Sequence, residues 1–337
     1  MFFTGKKILI IGGTGTIGAG LVTELLKQDP QVVRVFSRDE YKQFLLVEEL
    51  REFENVRFLI GDVRDPERLN RAMEDVEIVF HTAAMKHVPA CEYNPAEAVK
   101  TNVLGTQNVI DAAIANNVAQ VVLTSSDKSI SPTNAMGATK LLAERLITAA
   151  DYYRGKARTI FSAVRFGNVM GSRGSVIPFF VKQILQKQEL TVTRPEMTRF
   201  MMSIPAAVSL TMKAAEVAAG GEIFVLKMPV VRLIDLVEVV CEVTCLKYQL
   251  DPKNIDLKEI GLRPGEKMYE ELMTIEEASA AYELENMYAV TNPFNLGKYA
   301  HEYQSVSKVK VRNYTSDQEL PLSKAALREM ILADKLI

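Results

Sequence analysis

The sequence predicts an α/β protein in which a doubly wound, mostly parallel sheet carries a smaller α/β lobe for a substrate. Three observations lead there. Short β-branched runs alternate with amphipathic helical patterns through the first half of the chain, which argues for parallel strands joined by right-handed crossovers. The first of these runs ends in a glycine-rich turn that opens straight into a helical repeat. Beyond about residue 165 the alternation loosens into shorter pieces, and 337 residues of 48% apolar content can fill one large core and a smaller second one.

Lys7 to Gly12 reads as the first strand, after which Ile17, Leu21, Val22, Leu25 and Leu26 recur at helical spacing. Between them Gly12, Gly15 and Gly18, interleaved with Thr14, Thr16 and Ile17, make a G-x-x-G-x-x-G turn. Such a Rossmann turn lets the backbone approach a pyrophosphate and points helix N-terminal amides at it. Val32 to Ser37 is the second strand. At its end, about 20 residues past the glycines, NAD-binding chains place an acid on the ribose. This chain has Ser37, Arg38 and Asp39 there, followed by Lys42. Arg38 suits the 2′-phosphate of NADP, and Asp39 keeps NAD open. A third strand, Val56 to Ile60, closes on Gly61, Asp62 and Val63, where this fold presents groups to an adenine; Asp65 and Pro66 then read as a cap and first helical residue. The fourth strand, Ile78 to His81, leads into Thr82, Ala83 and Ala84, small enough for close cofactor approach. Lys86 and His87 follow as substrate contacts, with Lys86 also a cofactor candidate. A helical pattern from Asn94 to about Asn117 contains Asn102, assigned to the cofactor.

Gln120 to Thr124 is the next buried strand, and it runs into Ser125 to Lys140, where reactive side chains concentrate. Strand ends of open α/β sheets are where ligands sit, so Asp127 and Lys128 are placed for chemistry. Met136 and Lys140, four apart in a helix expected from Gly137 to Ala149, share one helical face. Ile160 to Arg165 supplies a further strand, and a polar, glycine-rich loop from Phe166 to Ser175 precedes a helix from Val176 to Gln186. The remainder divides into a strand from Leu190 to Thr193, a helix from Pro205 to Ala218, a strand from Ile223 to Leu226, a helix from Leu233 to Val243 and a closing helix near Ser323 to Ala333. Residues 1–165 are therefore expected to form the dinucleotide domain, with later segments returning to it. Residues 166–295 are mainly the substrate lobe, and 296–337 form an arm that packs on a neighbouring subunit or lies as a surface tail.

A net charge of −2 offers no basic surface for nucleic acid. Cys91, Cys241 and Cys245 make no disulfide framework, and the 241/245 pair has no His or Cys companion, so no metal site is expected. The opening MFFTGKKILIIGG lacks the features of a signal peptide, and no apolar run reaches about 18 residues, so a cytoplasmic protein with no membrane span is expected.

In combination, Gly12 to Gly15, Phe36 to Glu40, Gly61 to Asp65, Ala84 to Pro89, Ser126-Asp127-Lys128, Arg165 to Val169 and Arg263 to Lys267 carry a resemblance. From about Lys6 to Met273 the chain resembles the extended short-chain dehydrogenase/reductases that are C5-inverting UDP-N-acetylglucosamine 4,6-dehydratases. The resemblance implies UDP-N-acetylglucosamine as substrate and a tightly held NADP. Hydride leaves C4, water is lost across C5 and C6, and hydride returns to C6. Asp127 would protonate the departing 6-hydroxyl and Lys128 would remove the C5 proton, roles that call for shifted pKa values supplied by burial. Ser126, Asn168, Arg173, Gly174, Ser175, Val176, Thr193, Arg199, Arg263 and Glu266 would hold the sugar, diphosphate and uridine, and Val169 and Lys140 the cofactor. The wider family carries Tyr-x-x-x-Lys where this chain has Met136 and Lys140, and a thioether has no ionisable proton. Lys128, lowered by burial beside Lys140, is therefore expected to take the 4-hydroxyl proton as well. Membrane-anchored relatives carry transmembrane helices ahead of the enzyme; this chain resembles the short soluble forms, some of which also have Met here. A homo-oligomer, dimer or hexamer, and a product for surface-glycan or pseudaminic-type sugar synthesis are further implications. Two competing readings are a UDP-sugar 4-epimerase, which needs no elimination pair, and an inactive NADP-sensing regulator.

Overall fold

The computed structural model describes residues 1–337 apart from 173, 188, 263–264, 293–298 and 300. Strands β1 (Lys7–Ile11), β2 (Val32–Ser37), β3 (Val56–Ile60), β4 (Ile78–His81), β5 (Gln120–Thr124) and β6 (Ile160–Arg165) stand in the order β3-β2-β1-β4-β5-β6, all parallel. Ile8 to Ile11 and every residue of β4 and β5 are buried. Continuous apolar runs of this kind are what a parallel sheet covered on both faces requires. The order reverses between β1 and β4, and there the crossovers diverge and open a crevice at the strands' carboxyl ends.

Helices α1 (Thr16–Leu26), α2 (Glu40–Glu49) and α3 (Pro66–Met73) join the first strands. Asp39 and Asp65 cap α2 and α3 by accepting from the amides of Lys42 and Arg68. The single helix expected from Asn94 onward is divided. Asn94 and Pro95 separate α4 (Val88–Tyr93) from α5 (Pro95–Ala98), and a wide π turn, Val99–Leu104, turns Asn102 inward before α6 (Gly105–Ala115). Helix α7 (Ala135–Tyr153) starts two residues earlier than expected, at an Asn134 cap that accepts from the Gly137 amide.

Past β6 the chain leaves the large sheet and comes back. β7 (Asn168–Val169), α8 (Val176–Lys187), β8 (Glu189–Val192) and β9 (Thr198–Met202) belong to the lobe. Then α9 (Ile204–Val217) packs on α1, with Gly20 facing Val208, and β10 (Ile223–Leu226) extends the sheet parallel to β6. β11 (Val230–Arg232), α10 (Leu233–Tyr248), β12 (Asp256–Glu259) and β13 (Glu271–Met273) return to the lobe side, followed by α11 (Ile275–Ser279). β14 (Ala281–Glu283) and β15 (Met287–Val290) finish the large sheet as an antiparallel edge, and β16 (Tyr314–Thr315) pairs with β13.

The closing helix, α12 (Lys324–Ala333), falls where it was expected and packs on its own chain. Its Leu327 and Ile331, four apart, are fully buried in a second apolar cluster with Phe180 and Ile184 of α8 and Val237 and Val240 of α10. Burying two such side chains contributes about 3 to 6 kcal/mol, which holds the segment on its own chain.

Candidate active site

A cavity of about 1010 Å³ opens at the carboxyl ends of β1, β4, β5 and β6. Its floor is the glycine turn. Gly12 has φ +82°, and a Cβ there would stand 2.6 Å from the Ala83 amide nitrogen; one on Gly18 would stand 2.3 Å from the Gly12 carbonyl oxygen. Gly15 caps α1 without a side chain, so the helix's first amides and their partial positive charge face the cavity, as a diphosphate requires. The side wall carries Thr14 and Ser37, whose hydroxyls bond each other at 2.7 Å, together with Arg38, Asp62 and Val63. Arg38 is 64% exposed, with Nη1 3.6 Å from Asp62 Oδ2. The Asp39 carboxylate caps α2 and pairs with Lys42. Thr82, Ala83 and Ala84 face the glycines, Gly12 approaching Ala83 most closely.

The reactive end is a single 3₁₀ turn, Asp127–Ser129, that follows β5 and is tied to the end of β6 by the Asp127 amide, which donates to the Phe166 carbonyl at 3.1 Å. Lys128 Nζ lies 3.1 Å from Asp127 Oδ1 and 3.6 Å from Glu270 Oε1, and the Ser126 hydroxyl donates to the same Oδ1 at 2.6 Å. Asp127 is 1% exposed, and among the described residues its Oδ2 has no partner. The turn is pinned from behind. A Cβ on Gly137 would come 2.2 Å from the Lys128 carbonyl oxygen, so α7 lies directly against it. Ser129 Oγ donates to Glu144, which the buried Arg165 guanidinium bonds twice, at 2.7 and 3.0 Å, while also reaching Glu277 on α11.

The expectation that burial lowers Lys128 is reversed. Burial does push its ammonium down, but the carboxylates of Asp127 and Glu270 outweigh it, and the group is held above the ordinary lysine value. Lys140 is the depressed lysine: burial pushes it down to about 8 against the pull of Glu144, and its Nζ donates to the Thr124 carbonyl at 2.6 Å. Met136 lines the cavity and packs with Cys91, Ala98, Met85 and Val88, so this stretch of wall is apolar.

Lys86 and His87 stand exposed on the rim, and Gly174 approaches the His87 ring from the loop after β7. Thr16, Ile17, Lys42, Ser126, Asn168, Val169, Ser175 and Val176 also line the cavity. Four further expected contacts are not among the described residues that line the cavity. Asn102 is 2% exposed; its side-chain amide grips the Met85 backbone from both sides and donates to Thr139, so it shapes the loop after β4 and has no face on the cavity. Thr193 donates to the Met197 sulfur. Arg199, on buried β9, is spent on the carbonyls of Thr198, Lys267 and Met268, and Glu266 is 3.6 Å from it. Strand register turns that guanidinium toward the incoming 266–268 backbone. Arg173 and Arg263 lie outside the described residues. Thr101 and Met201 line the cavity with no motif to signal them, Met85 and Phe166 line it from within motifs that had given them no role, and Glu270 reaches Lys128 from far along the chain, a contact that only the fold creates.

The α/β fold thus has a switch-point crevice with a glycine cradle at one end and a buried Asp-Lys pair at the other. The chain belongs to the polysaccharide biosynthesis protein family, whose model matches residues 8–292. It is 54% identical to the solved structure of Pen from Bacillus thuringiensis, with TM-score 0.94 and 100% of both chains covered. It is 44% identical over 299 residues to the inverting UDP-N-acetylglucosamine 4,6-dehydratase of Campylobacter jejuni, covering 87% of this chain and 85% of that one. It is also 41% identical over 340 residues to the UDP-glucose 4-epimerase of Rickettsia bellii, covering 98% and 96%. Among the described residues no helix is long and apolar enough to cross a membrane.

Proposed function

We propose that this protein is an NADP-dependent UDP-N-acetylglucosamine 4,6-dehydratase that inverts C5 and supplies surface-glycan or pseudaminic-type sugar synthesis. The carrying observation is the Asp127-Lys128 pair, in contact at 3.1 Å on the cavity wall with one Asp127 oxygen buried and unpartnered among the described residues. Loss of water across two adjacent carbons needs a base at one and an acid at the other, held together out of bulk water.

The cradle of Gly12 and Gly18, where a Cβ would collide with backbone, fits a dinucleotide pyrophosphate, and Ser37, Arg38 and Lys42 would hold its 2′-phosphate. Bound there, the nicotinamide supplies hydride uptake from C4 and hydride return to C6. The pair itself carries one mobile proton. At rest it is an ammonium and a carboxylate; with the proton moved across the 3.1 Å contact it is an amine and a carboxylic acid. The Lys128 amine takes the C5 proton, the C5–H electrons form the C5–C6 double bond, and the C6–O bond breaks as Asp127 gives its proton to the departing hydroxide. Elimination thus restores the resting ion pair. Neutral Lys128 arises by proton transfer to Asp127 and owes nothing to a lowered pKa. Because Met136 offers no proton acceptor, Lys128 also takes the proton of the 4-hydroxyl, and it must pass that proton on before it accepts the one from C5.

Incubation with UDP-N-acetylglucosamine should release a product lighter by one water, with solvent deuterium at C5 by proton NMR. Asp127→Asn and Lys128→Ala should each lower the rate by about a hundred- to ten-thousand-fold with cofactor binding kept. Met136→Ala should cost far less. A Met136→Ala protein as dead as Lys128→Ala, or a Lys128→Ala protein at wild-type rate, refutes the assignment. The second reading, a UDP-sugar 4-epimerase, is favoured by the 98% coverage of this chain by the epimerase relative. It leaves Asp127 and Lys128 without a task, and it calls for a C4-inverted product of unchanged mass.

A further inference from the structure

A second carboxylate faces the Lys128 ammonium. Glu270 enters from the loop ahead of β13, is 5% exposed, and sets Oε1 3.6 Å from Lys128 Nζ and 3.7 Å from Arg199 Nε. Its place is fixed from both sides. The Glu270 amide donates to Ser316 Oγ and the Ser316 amide to the Glu270 carbonyl, while Lys267 of the same loop donates to the carbonyls of Ile130 and Ser131, just past the turn that bears Lys128. Both cation contacts exceed hydrogen-bond distance, so neither commits the carboxylate to a fixed partner.

Proton balance in the dehydratase reading, on which this inference rests, leaves a gap of one. The 4-hydroxyl and C5 each release a proton, and only one goes to the departing hydroxide before C5 is reprotonated. Lys128 cannot keep the first and still accept the second. We propose that Glu270 is a positioning residue that takes the first proton from Lys128, stores it while water is lost, and gives it back when C5 is reprotonated. No bond other than N–H and O–H is made or broken in these transfers, and no further reactant is needed. The surroundings suit a proton store: burial and the Asp127 charge push Glu270 above the usual carboxylate range, against Lys128, Arg199 and Lys267.

Glu270→Gln keeps the shape and cannot store a proton, whereas Glu270→Asp can. The first readout needs no turnover: acetylation of the Lys128 amine by acetic anhydride, followed against pH by peptide mass spectrometry. Loss of the facing negative charge should move the onset of labelling down by about one to two pH units in Glu270→Gln, and by less in Glu270→Asp. The second is a single turnover with UDP-N-acetylglucosamine and NADP. Glu270→Gln should still reduce the nicotinamide, then stall, with water loss and C5 deuterium uptake slowed at least about tenfold; Glu270→Asp should recover part of this. An unchanged labelling onset overturns the proposal, as does water loss at the wild-type rate beside a shifted onset. If the wild-type product is a C4 epimer of unchanged mass, the dehydratase reading fails and takes the proton store with it. That failure is distinct because it shows in the wild-type protein, before any variant is made.

Discussion

Lys128 and Lys140 face one cavity and lean in opposite directions, because one has two carboxylates beside it and the other has burial as its main influence. The same contrast governs His81, fully buried at the end of β4. Thr106 uses its hydroxyl proton on the Asn102 carbonyl, so its oxygen accepts from His81 Nε2 at 3.2 Å, and Nδ1 is bare among the described residues. Burial, helped by the Lys140 charge, pushes His81 down to about 3. An unfolded histidine titrates near 6.5, so between about pH 6.5 and 3 the unfolded chain binds the proton first and stability falls with pH. At pH 5 this share is about 2 kcal/mol. Urea unfolding at pH 7.5 and pH 5 should show it in the wild type and lose it in His81→Gln; equal pH dependence in both would refute it. Arg38 carries a second expectation. Being largely exposed, it stands at the weak end of charge-assisted contacts, so Arg38→Ala should weaken NADP about tenfold and NAD hardly at all, by titration calorimetry. Equal losses would leave the 2′-phosphate without this partner. Asp127 and Lys128 were legible in the sequence because they follow a buried run directly. Glu270 was not, since nothing local to it distinguishes a carboxylate that meets Lys128 from one that meets water.

The 3₁₀ turn and α7 form one unit, and the contact that joins them is a missing side chain. At Gly137 a Cβ would approach the Lys128 carbonyl oxygen to 2.2 Å, and a backbone atom anchored by the Asp127 amide bond cannot yield as a flexible side chain would. Gly137→Ala gains helix propensity, about 1 kcal/mol in a free helix, yet should destabilise by about 1 to 3 kcal/mol overall through overpacking. It should also displace Lys128 and lower product formation by at least about tenfold, because misplacement of about an ångström is costly in catalysis. A variant with raised melting temperature and full activity would show that the turn yields freely. At this scale the sequence was most legible where periodicity was long. The strands β1 to β6 and the helices α1 and α7 follow from it within a few residues. The π turn that breaks the helix after Asn94 had no such signal, since the pull on Asn102 comes from Met85, outside the repeat.

The molecule has a large core under the main sheet and a second cluster shared by α8, α10 and α12, with the cavity walled by residues that both support. Where the chain returns to the large sheet was only partly legible, because β10, β14 and β15 are short, and a short apolar run does not say which sheet it joins. The packing of the closing helix was not legible for a related reason: its partners on α8 and α10 lie far back in the chain. That helix now separates the two cores experimentally. Leu327 and Ile331 are fully buried in the second cluster, so truncating both to Ala should cost about 4 to 10 kcal/mol within that cluster. This is comparable with the whole stability of a domain, and the two side chains belong to the second cluster, not to the core of the large sheet. Hydrogen exchange should then show α8 and α10 losing protection while β1 to β6 keep theirs. The start of α8 brings Ser175 and Val176 to the cavity, and the glycine cradle belongs to the other core. Sugar-nucleotide binding should therefore weaken by an order of magnitude or more in the double variant, with dinucleotide binding held within about twofold. Parallel loss of protection in both regions, with both ligands weakened alike, would show a single cooperative core and remove this division of labour.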